Sequence, residues 1–119
     1  MDSWVIYALR PPRASELRDF VLHHGGYWNE GPSLDEGVIE DCWGALYITS
    51  LPSFEDELTP QDMNALREIL GGTPAGAISL HIGGDDRPFA LAARIAQSLA
   101  REWGGYIYKQ HGPIGAAQD

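Results

Sequence analysis

The chain has 119 residues, 44% of them apolar, with 8 Lys and Arg against 17 Asp and Glu, for a net charge of -9 and a pI near 4.7. That length supports one domain around a single core, and the apolar share with 4 Trp and 5 Tyr excludes a disordered chain. The acidic balance argues against DNA or RNA as a partner, because phosphates are held by clustered Lys and Arg. No run approaches the roughly 20 apolar residues of a membrane helix, so a soluble, cytoplasmic protein is expected.

Residues 3–10 form the first expected strand. Trp4, Ile6 and Ala8 point one way and Val5, Tyr7 and Leu9 the other, so both faces are apolar and the strand belongs inside a sheet covered on both sides. Pro11 and Pro12 end it. Residues 14–24 carry Leu17, Phe20, Val21 and His24 at spacings of three and four, a helix that Gly25 and Gly26 stop. Residues 27–37 mix Gly, Pro, Asn and Ser with acids and read as a loop or a ragged edge strand.

Residues 38–50 hold two short strands or one long bent one, with Trp43, Ala45, Tyr47 and Thr49 alternating against Gly44, Leu46, Ile48 and Ser50. After an acidic connection at 52–58, Thr59 caps a second helix, Pro60 takes its first position, and Asp62 lies near the positive end of the helix dipole. Met63, Leu66, Ile69 and Leu70 form its inner stripe, and Gly71 and Gly72 close it. Residues 76–82 alternate Ile78, Leu80 and Ile82 against Ala77, Ser79 and His81, as a strand does.

A turn at 83–86 leads into a third helix at 88–103, with Phe89, Ala92, Ile95, Ala96, Leu99 and Trp103 inward. Gly104 and Gly105 stop it before a short strand at 106–109. The order specifies an α+β fold: a two-layer sandwich with a mixed sheet of four to six strands packed by about three helices. A single domain is expected over 1–111, with a C-terminal tail over 112–119 that frays.

The chemistry-bearing residues have simple structural readings. His23 and His24 adjoin the negative end of the first helix dipole, which favours a protonated imidazole. His81, followed four residues later by Asp85 within HIGGDD, forms a strand-end pair that suits a metal or general-base site. Asp85 and Asp86 equally cap the following helix. Glu40 with Asp41, and Glu55 with Asp56 and Glu57, lack the alternate-position spacing of a calcium loop. Cys42 is flanked by acid, which raises a thiol pKa and disfavours a nucleophile. No phosphate loop, nucleophile elbow or metal-ligand spacing is present, so neither cofactor nor metal is expected.

What stands out is a stretch without a base. From Asp19 to Leu66 there is no Lys or Arg, while ten carboxylates fall there. One sign of charge over a surface steers partners of the opposite sign and speeds docking. Aromatics populate the same half, and Tyr27 and Trp28 sit in a setting that favours exposure, where Tyr and Trp serve as interface anchors. The residues expected to meet a basic partner are Tyr27, Trp28, Glu30, Asp35, Glu36, Glu40, Asp41, Glu55, Asp56 and Glu57.

The segment AISLHIGG, followed by the helix ARIAQSLAREWGG running into YIYK, resembles bacterial immunity proteins encoded beside interbacterial or polymorphic toxins. The resemblance covers 77–109. It implies a non-enzymatic inhibitor that binds a cognate secreted toxin in the producer's cytoplasm and occludes its active site, and the acidic middle segment is expected to face a basic cleft there. The alternative is a small ligand-binding or enzymatic domain with a site near His81 and Asp85.

Overall fold

Alternating apolar residues build six strands, and three amphipathic segments build the helices that cover them. The computed structural model describes residues 2–10, 12–31, 35–41, 44–51, 53–83, 89–110 and 114. In chain order the elements are β1 (Asp2–Ala8), α1 (Ala14–His23), β2 (Tyr27–Asn29), β3 (Glu36–Glu40), β4 (Ala45–Ser50), a 3-10 turn (Phe54–Glu57), α2 (Pro60–Leu70), β5 (Gly76–Gly83), α3 (Phe89–Trp103) and β6 (Gly105–Tyr108). The strands make one sheet in the order β2-β3-β4-β5-β1-β6.

The α+β class, the six strands and the three helices agree with the expectation, but the sheet is not mixed. All five ladders are antiparallel. β1 is interior, between β5 and β6, and it has apolar cover on both faces. Trp4, Ile6 and Ala8 join the main core with α1 and α3, while Val5 and Tyr7 join a second core with Phe54, Leu66 of α2 and Ile114. The helices are therefore split across the sheet: α1 and α3 on one face, α2 over the β1–β6 end of the other.

Connectivity accounts for that split. β1 and β2 run the same way and are joined through α1, and β5 and β6 run the same way and are joined through α3. The first crossover moves along the sheet in one direction from an "up" strand, and the second moves in the other direction from a "down" strand. Two crossovers of one hand then put both helices on one face. α2 links the antiparallel neighbours β4 and β5, so no handedness constrains it and it is free to lie opposite.

Helix ends follow local chemistry. Glu16 accepts from the backbone N–H of Arg13 at 3.1 Å to start α1. Thr59 Oγ1 accepts from Asp62 N at 3.1 Å and Asp62 Oδ2 from Thr59 N at 3.2 Å, a reciprocal box at the start of α2. Gly25, Gly71 and Gly104 all take positive φ just beyond the helix ends, where a side chain is strained.

Several inward assignments change. Leu9 lies past the end of β1 and is exposed, as are Ile69 on α2 and Phe89 at the start of α3. Phe89 stacks on Trp4 at 6.3 Å between ring centroids. Leu66 is the fully buried anchor of α2. Ile114 is buried in the second core. Residues 112, 113 and 115–119 lie outside the described residues, as do Cys42, Trp43, Asp85 and Asp86.

Candidate functional site

The strand register lays one lateral row of side chains across five strands on the α2 side of the sheet. Tyr27 pairs with Val38, Val38 with Tyr47, Tyr47 with His81, and His81 with Ser3. Because side chains alternate between faces, Glu36 and Glu40 flank Val38 on this same face of β3. None of the six strands carries a Lys or an Arg, and among the described residues no base contacts Glu36, Glu40 or Glu57.

At the β2 edge Tyr27 is 47% exposed, and its hydroxyl donates to Glu40 Oε1 at 2.9 Å. That bond to a carboxylate, together with the nearby charges of Glu40, Tyr47 and Glu36, holds the Tyr27 hydroxyl above its ordinary pKa. Tyr27, Glu36, Glu40 and Tyr47 thus form one acidic, aromatic patch.

At the other end of the row lies a cavity of about 460 Å³ between β1, β5, the 3-10 turn and α2. Ser3 Oγ hydrogen-bonds His81 Nδ1 inside it, two residues 78 positions apart in sequence. The Gln110 amide donates to the Ser3 carbonyl at 2.7 Å, and Ile114 lines the wall. Glu57 and Asp62 bring carboxylates, and Tyr7 and Tyr108 bring rings whose centroids are 6.3 Å apart. Burial first, and then the charges of Glu57, Tyr108 and Asp62, push the Tyr7 hydroxyl up to about 12.

The Ser3–His81 pair has the proximity of a nucleophile and a base. Among the described residues no carboxylate orients the second ring nitrogen, the element that a working dyad needs. No cluster of three or more metal-binding side chains occurs among the described residues.

The ten expected interface residues are only partly gathered. Tyr27, Glu36 and Glu40 share the row's face, and Glu57 reaches it through the cavity. Glu55 and Asp56 are exposed on the same turn, Glu30 is exposed just beyond β2, and Asp35 is half-buried just before β3. Trp28 faces the opposite way from Tyr27 and packs against the main core. Asp41 shapes the β3–β4 hairpin, accepting from Gly44 N at 3.1 Å, and lines a shallow hollow with Leu91 and Arg94 of α3. Asp19 lies on α1, across the sheet from the row.

Sequence reading missed Ser3 and Tyr108, because nothing in the sequence states which strands are neighbours. His23 and His24 border a second hollow of about 520 Å³ between α1 and α3. There His24 Nδ1 bonds the Phe20 carbonyl oxygen at 2.8 Å, and its ring stacks on Phe20 at 4.1 Å. This pair closes a helix. Among the described residues no helix is long and apolar enough to cross a membrane. Comparison with family models, with curated proteins and with solved structures finds no match for this chain.

Proposed function

We propose that this chain is a stoichiometric protein inhibitor of the immunity type, which binds a basic secreted toxin in the producer's cytoplasm and occludes its active-site cleft. The observation that carries this reading is the row from Tyr27 to Ser3, with Glu36 and Glu40 on one side and Glu57 and Asp62 on the other, on strands without any Lys or Arg. Such a face attracts a cationic cleft and repels an anionic one, and the exposed Tyr27 offers an aromatic anchor.

Stopped-flow association with the toxin encoded beside its gene tests the reading. Replacing Glu36 and Glu40 together by Lys slows association by about tenfold or more at low salt and by less at high salt. Asp19→Lys, across the sheet, changes it little. Equal sensitivity to both replacements, or to neither, refutes the placement.

A second reading is favoured by the cavity itself, which contains His81 hydrogen-bonded to Ser3 and is not a filled core. In that reading the fold is a small-ligand domain, and His81→Ala abolishes ligand binding while leaving any protein partner bound.

A further inference from the structure

The cavity between β1, β5 and α2 has a composition that selects one kind of ligand. Val5, Leu51, Leu58 and Ile114 give it an apolar wall, and Glu57 and Asp62 give it two carboxylates. Its size falls within the roughly 300–1,000 Å³ typical of ligand sites. An anion is repelled by the carboxylates. A purely apolar ligand leaves them desolvated without a partner, which is unfavourable.

Three observations converge on a cation attached to an aliphatic stem. Glu57 has no cationic partner among the described residues, and Asp62 uses one carboxylate oxygen for the Thr59 N–H. Both carboxylates line the cavity beside Tyr7. The rings of Tyr7 and Tyr108 supply π faces, which attract ammonium and guanidinium groups. Methylenes against the apolar wall and a charged head between carboxylates and rings is how Lys and Arg side chains bury.

We propose that this cavity is a receptor for an alkyl-guanidinium or alkyl-ammonium group, supplied by an arginine or lysine side chain of the basic partner. The inference rests on the partner-binding reading above and deepens it, by giving the acidic face a pocket into which one partner side chain inserts.

The test uses the full chain and two probes, N-acetyl-arginine amide and its neutral isostere N-acetyl-citrulline amide, titrated while the His81 and tyrosine ring resonances are followed by NMR. The arginine probe is expected to give saturable shifts and the citrulline probe none. Glu57→Gln is expected to weaken arginine binding about tenfold, while Glu68→Gln, exposed on α2, leaves it unchanged. Absence of saturable shifts, equal binding of citrulline, or equal effects of the two glutamine variants overturns the proposal.

A second arm separates it from the parent reading. If the arginine probe does not bind, but partner association still falls on reversal of Glu36 and Glu40, the pocket is wrong and the face stands. If the probe saturates the cavity and Glu57→Gln leaves partner dissociation unchanged, the cation comes from a free small molecule and the partner side chain is overturned as its source.

Discussion

Tyr27 reaches diagonally across the β2–β3 ladder: its register partner is Val38, yet its hydroxyl donates to Glu40 Oε1 at 2.9 Å. Diagonal neighbours in a sheet lie within reach of an aromatic side chain, and this one fixes Glu40 on the acidic face without neutralising it. The carboxylate accepts from the protonated phenol and not from the phenolate, so the Tyr27 pKa is raised. Its contribution to stability is therefore present below the ordinary tyrosine range and is lost as pH rises through the raised value. With tyrosine labelled at the ring carbon that bears the hydroxyl, NMR titration should show Tyr27 ionising above free tyrosine, near 10. Glu40→Gln should move that ionisation downward, and Tyr27→Phe should remove it.

Tyr7 makes a second alkaline prediction. Its hydroxyl goes from 10.0 to about 12, from burial first and then from Glu57, Tyr108 and Asp62. The folded protein thus holds the proton over a window in which the unfolded chain has released it. Stability from Tyr7 is complete below pH 10 and declines as pH climbs toward 12. Urea midpoints measured from pH 9 to 11.5 should fall more steeply for the wild type than for Tyr7→Phe. Parallel slopes would show that Tyr7 titrates alike in both states.

Much of the architecture was legible because alternation and capping are local. The face assignments within residues 76–82 match β5, and the Thr59, Pro60 and Asp62 signature marks the start of α2. Strand pairing was not legible. Two apolar faces on β1 suggested the doubly covered strands of a parallel or mixed sheet, but the same pattern arises here because α2 and Phe54 cover the second face of an antiparallel sheet.

The short β2 was hidden by the Gly, Pro, Asn and acidic residues around it, since three residues, Tyr27–Asn29, give too little alternation to read. The acidic character of the candidate site was visible from the gap in Lys and Arg, but its division between faces was not. Tyr27 and Trp28 look equivalent in sequence, and a period of two sends one to the acidic row and the other to the core. Ser3 meets His81 only because β1 and β5 are neighbours.

The reciprocal box at Thr59 serves both fold and site, because Asp62 closes the helix cap and also lines the cavity. Thr59→Ala removes the hydroxyl acceptor and should destabilise the protein by about 1 kcal/mol, while Thr59→Ser should restore most of the loss. Asp62→Asn keeps an acceptor for the Thr59 N–H but removes the charge. It should therefore cost less stability than Thr59→Ala and weaken binding of the arginine probe more. Urea unfolding and the probe titration together separate the two roles.

Where α1 and the turn after it meet β3, glycine is required by space and not by backbone angle. A Cβ on Gly37 would fall 2.5 Å from Val21 Cγ2 and 3.2 Å from the Trp28 ring, and one on Gly26 would fall 2.3 Å from the Val38 carbonyl oxygen. Optimal carbon contacts lie near 3.5–4.0 Å, so each alanine forces displacement and should cost roughly 1–3 kcal/mol. The obstacles differ in kind. Val21 is a side chain that can be shortened: Val21→Ala alone should cost about 2 kcal/mol through the void it leaves, and Gly37→Ala should partly fill that void. The Gly37→Ala, Val21→Ala double variant should then be more stable than the sum of its parts by about 1 kcal/mol. At Gly26 the nearest atom belongs to the β3 backbone and shortening Val21 does not move it, so Gly26→Ala with Val21→Ala should show a smaller coupling. Equal coupling in the two cycles, measured by urea unfolding, would mean that α1 shifts bodily and that Val21 is not the contact that sets its distance from the sheet.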